Sequence, residues 1–196
     1  MIENWLFVLA LIAVLMIPGP TNALLASSAH HHGTWQTVRL IPAQLFGYLY
    51  GIGLWGLLVH LADPVWPALT SVLHIFGIAY VLWLALRLWK TKHLQAHSQK
   101  YNHIRPQQLF WGSLKNPKAI LISTGILPLH TWESVTAYAW VMLAFSAIMI
   151  PSALFWIFFG KGILEGRMRG LNADQVYKGS AMLLLLCMLP ILIQLF

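Results

Sequence analysis

The segment Lys115-Asn116-Pro117-Lys118 has the residue types best suited to chemistry, and it lies inside an apolar run at 109–129. About 20 apolar residues, at ~1.5 Å each, cross a bilayer, so both lysines fall near the middle of a predicted membrane segment. A lysine there costs ~2.5–3.5 kcal/mol on insertion scales, and Pro117 breaks the helix. Asn116 and Pro117 suit the N-cap and first position of a new helix. This combination favours an anion-binding site over two lysines that reach back to the interface.

The first apolar segment contains a comparable break at Pro18-Gly19-Pro20, followed by Thr21 and Asn22. Segments broken by Gly or Pro at corresponding positions of two halves indicate a transporter site. Helices that restart at Pro20 and Pro117 would bring two N-termini to the midplane, each with free N–H groups and a partial positive charge. The sequence therefore predicts a substrate site made from two sets of residues: Pro18, Gly19, Pro20, Thr21 and Asn22, and Lys115, Asn116, Pro117 and Lys118.

The composition is that of a membrane protein. The chain has 196 residues, of which 59% are hydrophobic and 9% charged. We expect a single all-α polytopic domain over 1–196, because an open strand would leave unpaired backbone groups in lipid. Six transmembrane helices are predicted, at about 5–26, 40–62, 68–86, 107–127, 134–159 and 178–195. The one cysteine, Cys187, allows neither an internal disulfide nor a dithiol redox pair.

The basic residues are segregated to alternate loops, which predicts the orientation. Ten of the 12 Lys and Arg residues lie in the first, third and fifth loops, whereas the opposite side carries Glu3, Asp63 and Glu133. By the positive-inside rule the odd loops are cytoplasmic and both termini lie outside, so the net charge of +7 does not indicate nucleic-acid binding. The helices divide into a 3+3 inverted repeat in which the first helix of each half is broken. Repeat 1 covers about 1–90, the basic cytoplasmic loop about 87–106, and repeat 2 about 107–196.

Both broken segments carry motifs that are similar to those of a known family. Pro18-Gly19-Pro20, with Asn22 and Leu24, resembles the first signature of the lysine exporter (LysE/RhtB) family, and Asn116-Pro117-Lys118-Ala119 resembles the second. Gly77-Ile78-Ala79-Tyr80 is similar to the family's third helix, while Thr21 departs from the asparagine-type residue often found there. The resemblance implies export of amino acids or related small metabolites from the bacterial cytoplasm, often by a homodimer.

Several histidines admit more than one interpretation. His60 and Asp63 share one helix face, where they form either a candidate proton relay, with His74 as a further member, or a surface hydrogen bond. The run His30-His31-His32 fits a metal site or a solvated helix end, and its role stays open. No Asp or Glu lies deep in a predicted span, so the sequence does not decide whether transport is coupled to protons.

The predicted function is a secondary transporter that exports amino acids or related small zwitterions across the inner membrane. A metal-cation exporter of the same architecture is the alternative, but lysines and helix N-termini at the midplane repel cations. A membrane enzyme or a structural subunit is a third class; no recognisable Ser-His motif supports a hydrolase, and a structural subunit would not require two broken helices. We expect no enzyme activity, no cofactor and no resident metal. The expected partners are the substrate, the bilayer and a second copy of the chain.

Overall fold

The computed structural model describes residues 2–62, 64–90 and 104–165, together with positions 175, 178, 179, 181 and 182. Within these ranges every regular element is a helix, as the composition predicts. The first half contains α1 (Ile2–Met16), α2 (Pro20–His32), α3 (Thr34–Val38), α4 (Ile41–Ala62) and α5 (Pro67–Lys90). The second half contains α6 (Pro106–Leu114), α7 (Pro117–Leu121), a π-helical segment (Ile122–Ile126), a 3-10 helix (Leu129–Trp132) and α8 (Val135–Leu164).

These helices overlap the first five predicted membrane segments. The predicted sixth segment at 178–195 and most of the basic loop lie outside the described residues. The count of six spans, the inverted repeat and the repeat boundaries therefore stay predictions. Two helical stretches, Thr34–Ala62 and Val135–Leu164, are long and apolar enough to cross a membrane, and a third is the pair Phe7–Met16 and Pro20–His32, bent by 53°.

Prolines set the starts of four of these helices. Pro20, Pro67, Pro106 and Pro117 are each the first residue of α2, α5, α6 and α7, respectively. Proline suits this position because the first N–H of a helix has no intrahelical acceptor and the ring already holds a helical φ. The broken first segment and the broken fourth segment thus follow directly from the placement of Pro20 and Pro117.

Small residues let the helices pack in two close pairs. A Cβ at Gly47 of α4 would lie 2.8 Å from Ser113 Cβ, and one at Gly51 would lie 3.0 Å from Leu114 O. Gly47 faces Ser113 and the later Gly51 faces the later Leu114, so residue numbers increase in the same direction along α4 and α6 and the two helices run parallel. On the other side, α2 contacts α8 closely where Gly160 meets Ala26. Gly47 and Gly51 thus permit close packing of α4 on α6, and these contacts lie within one chain.

The exposed surface of α4 is apolar. Six large side chains on this helix are exposed: Phe46, Tyr50, Leu54, Leu57, Leu58 and Leu61. An apolar outer face of this extent is the expected surface of a helix that contacts lipid. The buried core lies on the opposite side of α4, where Tyr48 packs against Phe145 of α8 and Ile52 belongs to the same buried cluster as Leu25 of α2.

Candidate functional site

The two broken segments meet in the interior. Lys118 Nζ, at the start of α7, donates a hydrogen bond of 2.6 Å to Ile17 O, at the end of α1. The Lys118 side chain is only 3% exposed. A Cβ at Gly19 would lie 3.2 Å from Lys118 Nζ, so the glycine makes room for the ammonium. The two motifs singled out by the sequence are therefore neighbours in space.

Asn116 joins three parts of the chain through its side-chain amide. Its Nδ2 donates to Tyr48 Oη at 2.9 Å and to Thr21 Oγ1 at 3.3 Å. Its Oδ1 accepts from the backbone N–H of Lys118 at 3.1 Å, which caps α7 in the way that the Asn-Pro sequence predicts. Thr21 Oγ1 and Tyr48 Oη lie 3.2 Å apart. We call Thr21, Asn22, Tyr48, Asn116 and Lys118 the central polar cluster.

The end of α1 is stabilised by two donors from elsewhere in this cluster. Asn22 Nδ2 donates to Leu15 O at 3.1 Å and to Ile17 O at 3.0 Å. Ile17 O thus accepts from both Asn22 and the Lys118 ammonium. The carbonyls at a helix C-terminus have no intrahelical donors and carry a partial negative charge, so a cation and an amide are suited to them.

The start of α2 offers the opposite polarity. Its N-cap residue is Gly19, and no side chain caps this end. The first N–H groups of α2 lack intrahelical acceptors and carry a partial positive charge. Within residues 17–20, a negative helix end and a positive helix end therefore face the same interior region. This arrangement is complementary to a small molecule that carries a carboxylate and an ammonium group.

Comparison with known proteins gives the family. The family model described as LysE type translocator matches residues 12–191. The chain belongs to the LysE type translocator family. It is 31% identical over 132 residues to the "Cysteine/O-acetylserine efflux protein" of Salmonella typhi, and 30% identical over 132 residues to the protein of that name in Escherichia coli strain K12.

These two alignments each cover 65% of this chain and 65% of the relative, so the match spans less than two thirds of the length of the curated relatives. No solved structure matches the chain. In this LysE type translocator, both signature segments lie at the central polar cluster. The resemblance noted from the motifs is thus confirmed at the level of the family.

The structure does not bring every predicted site residue into the cluster. Lys115 is exposed, and its Nζ lies 5.8 Å from the centroid of the Trp111 ring, in cation–π geometry. Pro18 is buried beside the cluster, whereas Pro20 is exposed and, like Pro117, acts by starting a helix. Only one of the two lysines therefore faces the interior.

The structure describes some of the histidines that were predicted to have a role. His60 is exposed near the end of α4, while Asp63 and the side chain of His74 lie outside the described residues. The proton relay among them stays a prediction. His30 and His31 are exposed at the end of α2, with ring centroids 4.8 Å apart. In the part of the chain that the structure describes, no group of three or more His, Cys, Asp or Glu side chains is placed to hold a metal ion.

Tyr48 is the member of the cluster that the sequence interpretation missed. It is 1% exposed, and its ring packs at 6.0 Å from that of Phe145. The signal was its position one residue after Gly47, on the face of α4 that also carries Gln44, Gly51 and Ile52. A buried tyrosine hydroxyl normally has a hydrogen-bond partner, so a tyrosine on a small-residue face of a membrane helix indicates a polar contact with another helix.

Proposed function

We propose that this protein is a secondary transporter that exports amino acids or related small zwitterionic metabolites from the cytoplasm across the bacterial inner membrane. The observation that carries the proposal is the buried Lys118 ammonium beside the uncapped start of α2, at the break between two helices that are long enough to cross a membrane only when taken together. Family membership and the names of the two relatives support amino-acid efflux.

The substrate carboxylate would bind between Lys118 and the first N–H groups of α2. Lys118 Nζ is already adjacent to Gly19, the residue that precedes α2. A carboxylate there would accept charge-assisted hydrogen bonds from both sources, in place of the present bond from Lys118 to Ile17 O. Such a bond contributes ~1.5–3 kcal/mol, comparable to the ~2.5–3.5 kcal/mol cost of placing a lysine at this depth.

The substrate ammonium would bind at the carbonyl end of α1. When Lys118 turns to a carboxylate, Ile17 O loses one of its two donors and can accept from the substrate amine instead. Asn22 would hold α1 in place through Leu15 O during this exchange. The two charged groups of a zwitterion would thus meet two helix ends of opposite polarity, which neither a simple cation nor a simple anion would do.

The metal-cation alternative is not supported. Among the described residues, the charged side chain that is buried is that of Lys118. A metal cation close to this ammonium would be repelled. The proposal keeps the remaining sequence predictions: both termini outside, the odd loops cytoplasmic, and assembly as a homodimer. Mass measurement in mild detergent tests the last of these, and a monomer at every concentration would reject it.

Flux measurements with the purified protein in lipid vesicles test the proposed function. A panel of labelled amino acids and divalent metal ions would be compared for the native protein, Lys118→Ala and Lys161→Ala. We expect amino-acid flux in the native protein, a loss of at least about tenfold for Lys118→Ala, and near-native flux for Lys161→Ala. Lys161 is a matched control because its ammonium is paired with Glu165 at 3.6 Å, away from the cluster. Native flux for Lys118→Ala would reject the binding site at Lys118, and flux of metal ions alone would reject amino-acid export.

A further inference from the structure

Two buried side chains next to the central polar cluster each have an oxygen atom without a hydrogen-bond partner among the described residues. Gln44 of α4 is 2% exposed and Ser113 of α6 is fully buried. Neither Gln44 Oε1 nor Ser113 Oγ has a hydrogen-bond partner among the described residues. Other buried hydroxyls are satisfied: Ser152 Oγ, for example, donates to Ile148 O at 2.8 Å. Buried polar atoms in native proteins are nearly always paired, with protein groups, ordered water or a ligand, so these two oxygens are available to a partner from outside the helices.

Both side chains lie one helical turn from the cluster, on the same side of it. Gln44 precedes Tyr48 by four residues, and Ser113 precedes Asn116 by three. The helices α4 and α6 are parallel and in contact here, since a Cβ at Gly47 would lie 2.8 Å from Ser113 Cβ. One turn corresponds to ~6 Å or less, so a ligand that reaches both the cluster and these residues must be short. In the proposed orientation this side faces the cytoplasm.

The chemistry of the pair defines the group that fits it. An amide oxygen accepts a hydrogen bond, and a serine hydroxyl either donates or accepts. Neither residue is charged, and Lys118 is the buried charged side chain of the described residues. The pair therefore suits a neutral polar group that donates one hydrogen bond, which is a hydroxyl or a thiol; a side-chain amide carries two donors and an acceptor and would leave at least one of them unpaired. A charged side chain would enter without a countercharge and an apolar one would leave both atoms unpaired.

We propose that Gln44 and Ser113 form a subsite for the side chain of the transported amino acid, and that it selects short side chains with a hydroxyl or thiol group. The inference rests on the proposed function, because it requires that the α-carboxylate and α-amine bind at the central polar cluster. It goes beyond that function by naming the residues that discriminate among amino acids. Selection works through the cost of leaving buried polar atoms unpaired when the side chain lacks a polar group.

Serine and alanine are the sharpest pair of probes, since they differ by one hydroxyl. Flux of each would be measured in vesicles for the native protein, Gln44→Met and Ser113→Ala. We expect the native protein to favour serine, and each substitution to lower the serine-to-alanine flux ratio by about tenfold while alanine flux stays within about twofold. The matched controls are Ser152→Ala, a buried serine whose hydroxyl already has a partner, and Gln107→Met, an exposed glutamine on α6.

The outcomes separate this inference from the proposed function. If the native protein moves amino acids but the ratio is unchanged in both variants, or both fluxes fall equally, the subsite is wrong and the transport proposal stands. If the native protein moves no amino acid, both are wrong. If Gln44→Met does not accumulate in the membrane, Ser113→Ala decides, with stabilisation of the purified protein by serine against alanine as a second readout. A loss of that preference supports the subsite, and its retention overturns it.

Discussion

Lys118 Nζ and Ile17 O lie 2.6 Å apart, so a single hydrogen bond ties the second broken segment to the first. The donor begins one helix and the acceptor follows the end of another. A cation at a helix C-terminus is electrostatically favourable, which stabilises Lys118 in this apolar interior, where no carboxylate of the described residues forms an ion pair with it. The same contact places the ammonium where a substrate carboxylate could compete for it.

Lys118→Arg should impair transport even though it keeps the charge. The ammonium occupies a space bounded by Gly19, where a Cβ would be only 3.2 Å away, and a planar guanidinium has a different shape and more donors. We expect at least about a tenfold loss of flux, equivalent to ~1.4 kcal/mol. Flux in vesicles with equal protein content measures it, and a native rate for Lys118→Arg would show that only the charge is needed.

Gly19→Ala should reduce transport without removing any polar group. The added Cβ would meet Lys118 Cε and Nζ, both at 3.2 Å, and would push the ammonium away from the start of α2. We expect a fall in flux of several-fold with a small change in melting temperature, since a neighbour must shift by only tenths of an ångström. Gly179→Ala is the control, because no atom of the residues that the structure describes lies within 4 Å of a Cβ there. Equal behaviour of the two variants would contradict the close approach of Lys118 to the break.

The effects of Tyr48→Phe and Thr21→Val on the stability of the protein should be coupled. Both side chains bond to Asn116 Nδ2, and their oxygens lie 3.2 Å apart. Each substitution alone removes one acceptor of the buried Asn116 Nδ2, whereas the double variant removes both. The two losses in unfolding free energy should therefore not add. A double-mutant cycle on thermal unfolding in detergent should give a coupling of ~0.5–3 kcal/mol. Strictly additive losses would mean that the three side chains do not share a network.

The orientation predicts which positions can be labelled from outside. In a Cys187→Ser background, Pro64→Cys should react with an impermeant thiol reagent added to intact cells, and His97→Cys should react only after permeabilisation. The reason is the excess of Lys and Arg in the loop around position 97 and their absence around position 64. The opposite pattern would overturn the predicted orientation, whereas labelling of both positions from the same side would contradict the inverted repeat.

The helix breaks were predictable because proline acts locally. Pro20 and Pro117 begin helices because of their own fixed φ and missing N–H, without help from distant residues, and Asn116 caps the helix that follows it. The sequence did not predict that Lys115 is exposed while Lys118 is buried. A break lies between them, so the directions of the two side chains depend on the angle at which α7 leaves α6. The role of Tyr48 was equally hidden, since its partners lie on α2 and at the start of α7, and only the rotation of packed helices sets those contacts.

The close contacts of the glycines have a mechanical consequence. Where Gly47 and Gly51 bring α4 against the backbone of α6, the two helices can slide or tilt only together, and the contact of Gly160 with Ala26 couples α2 to α8 in the same way. Each of these two helix pairs is therefore a closely packed unit. Thr21 lies on α2, Tyr48 lies on α4 and Asn116 follows α6, so the hydrogen bonds among them join the two pairs. Movement of one pair against the other would break these hydrogen bonds at the proposed substrate site.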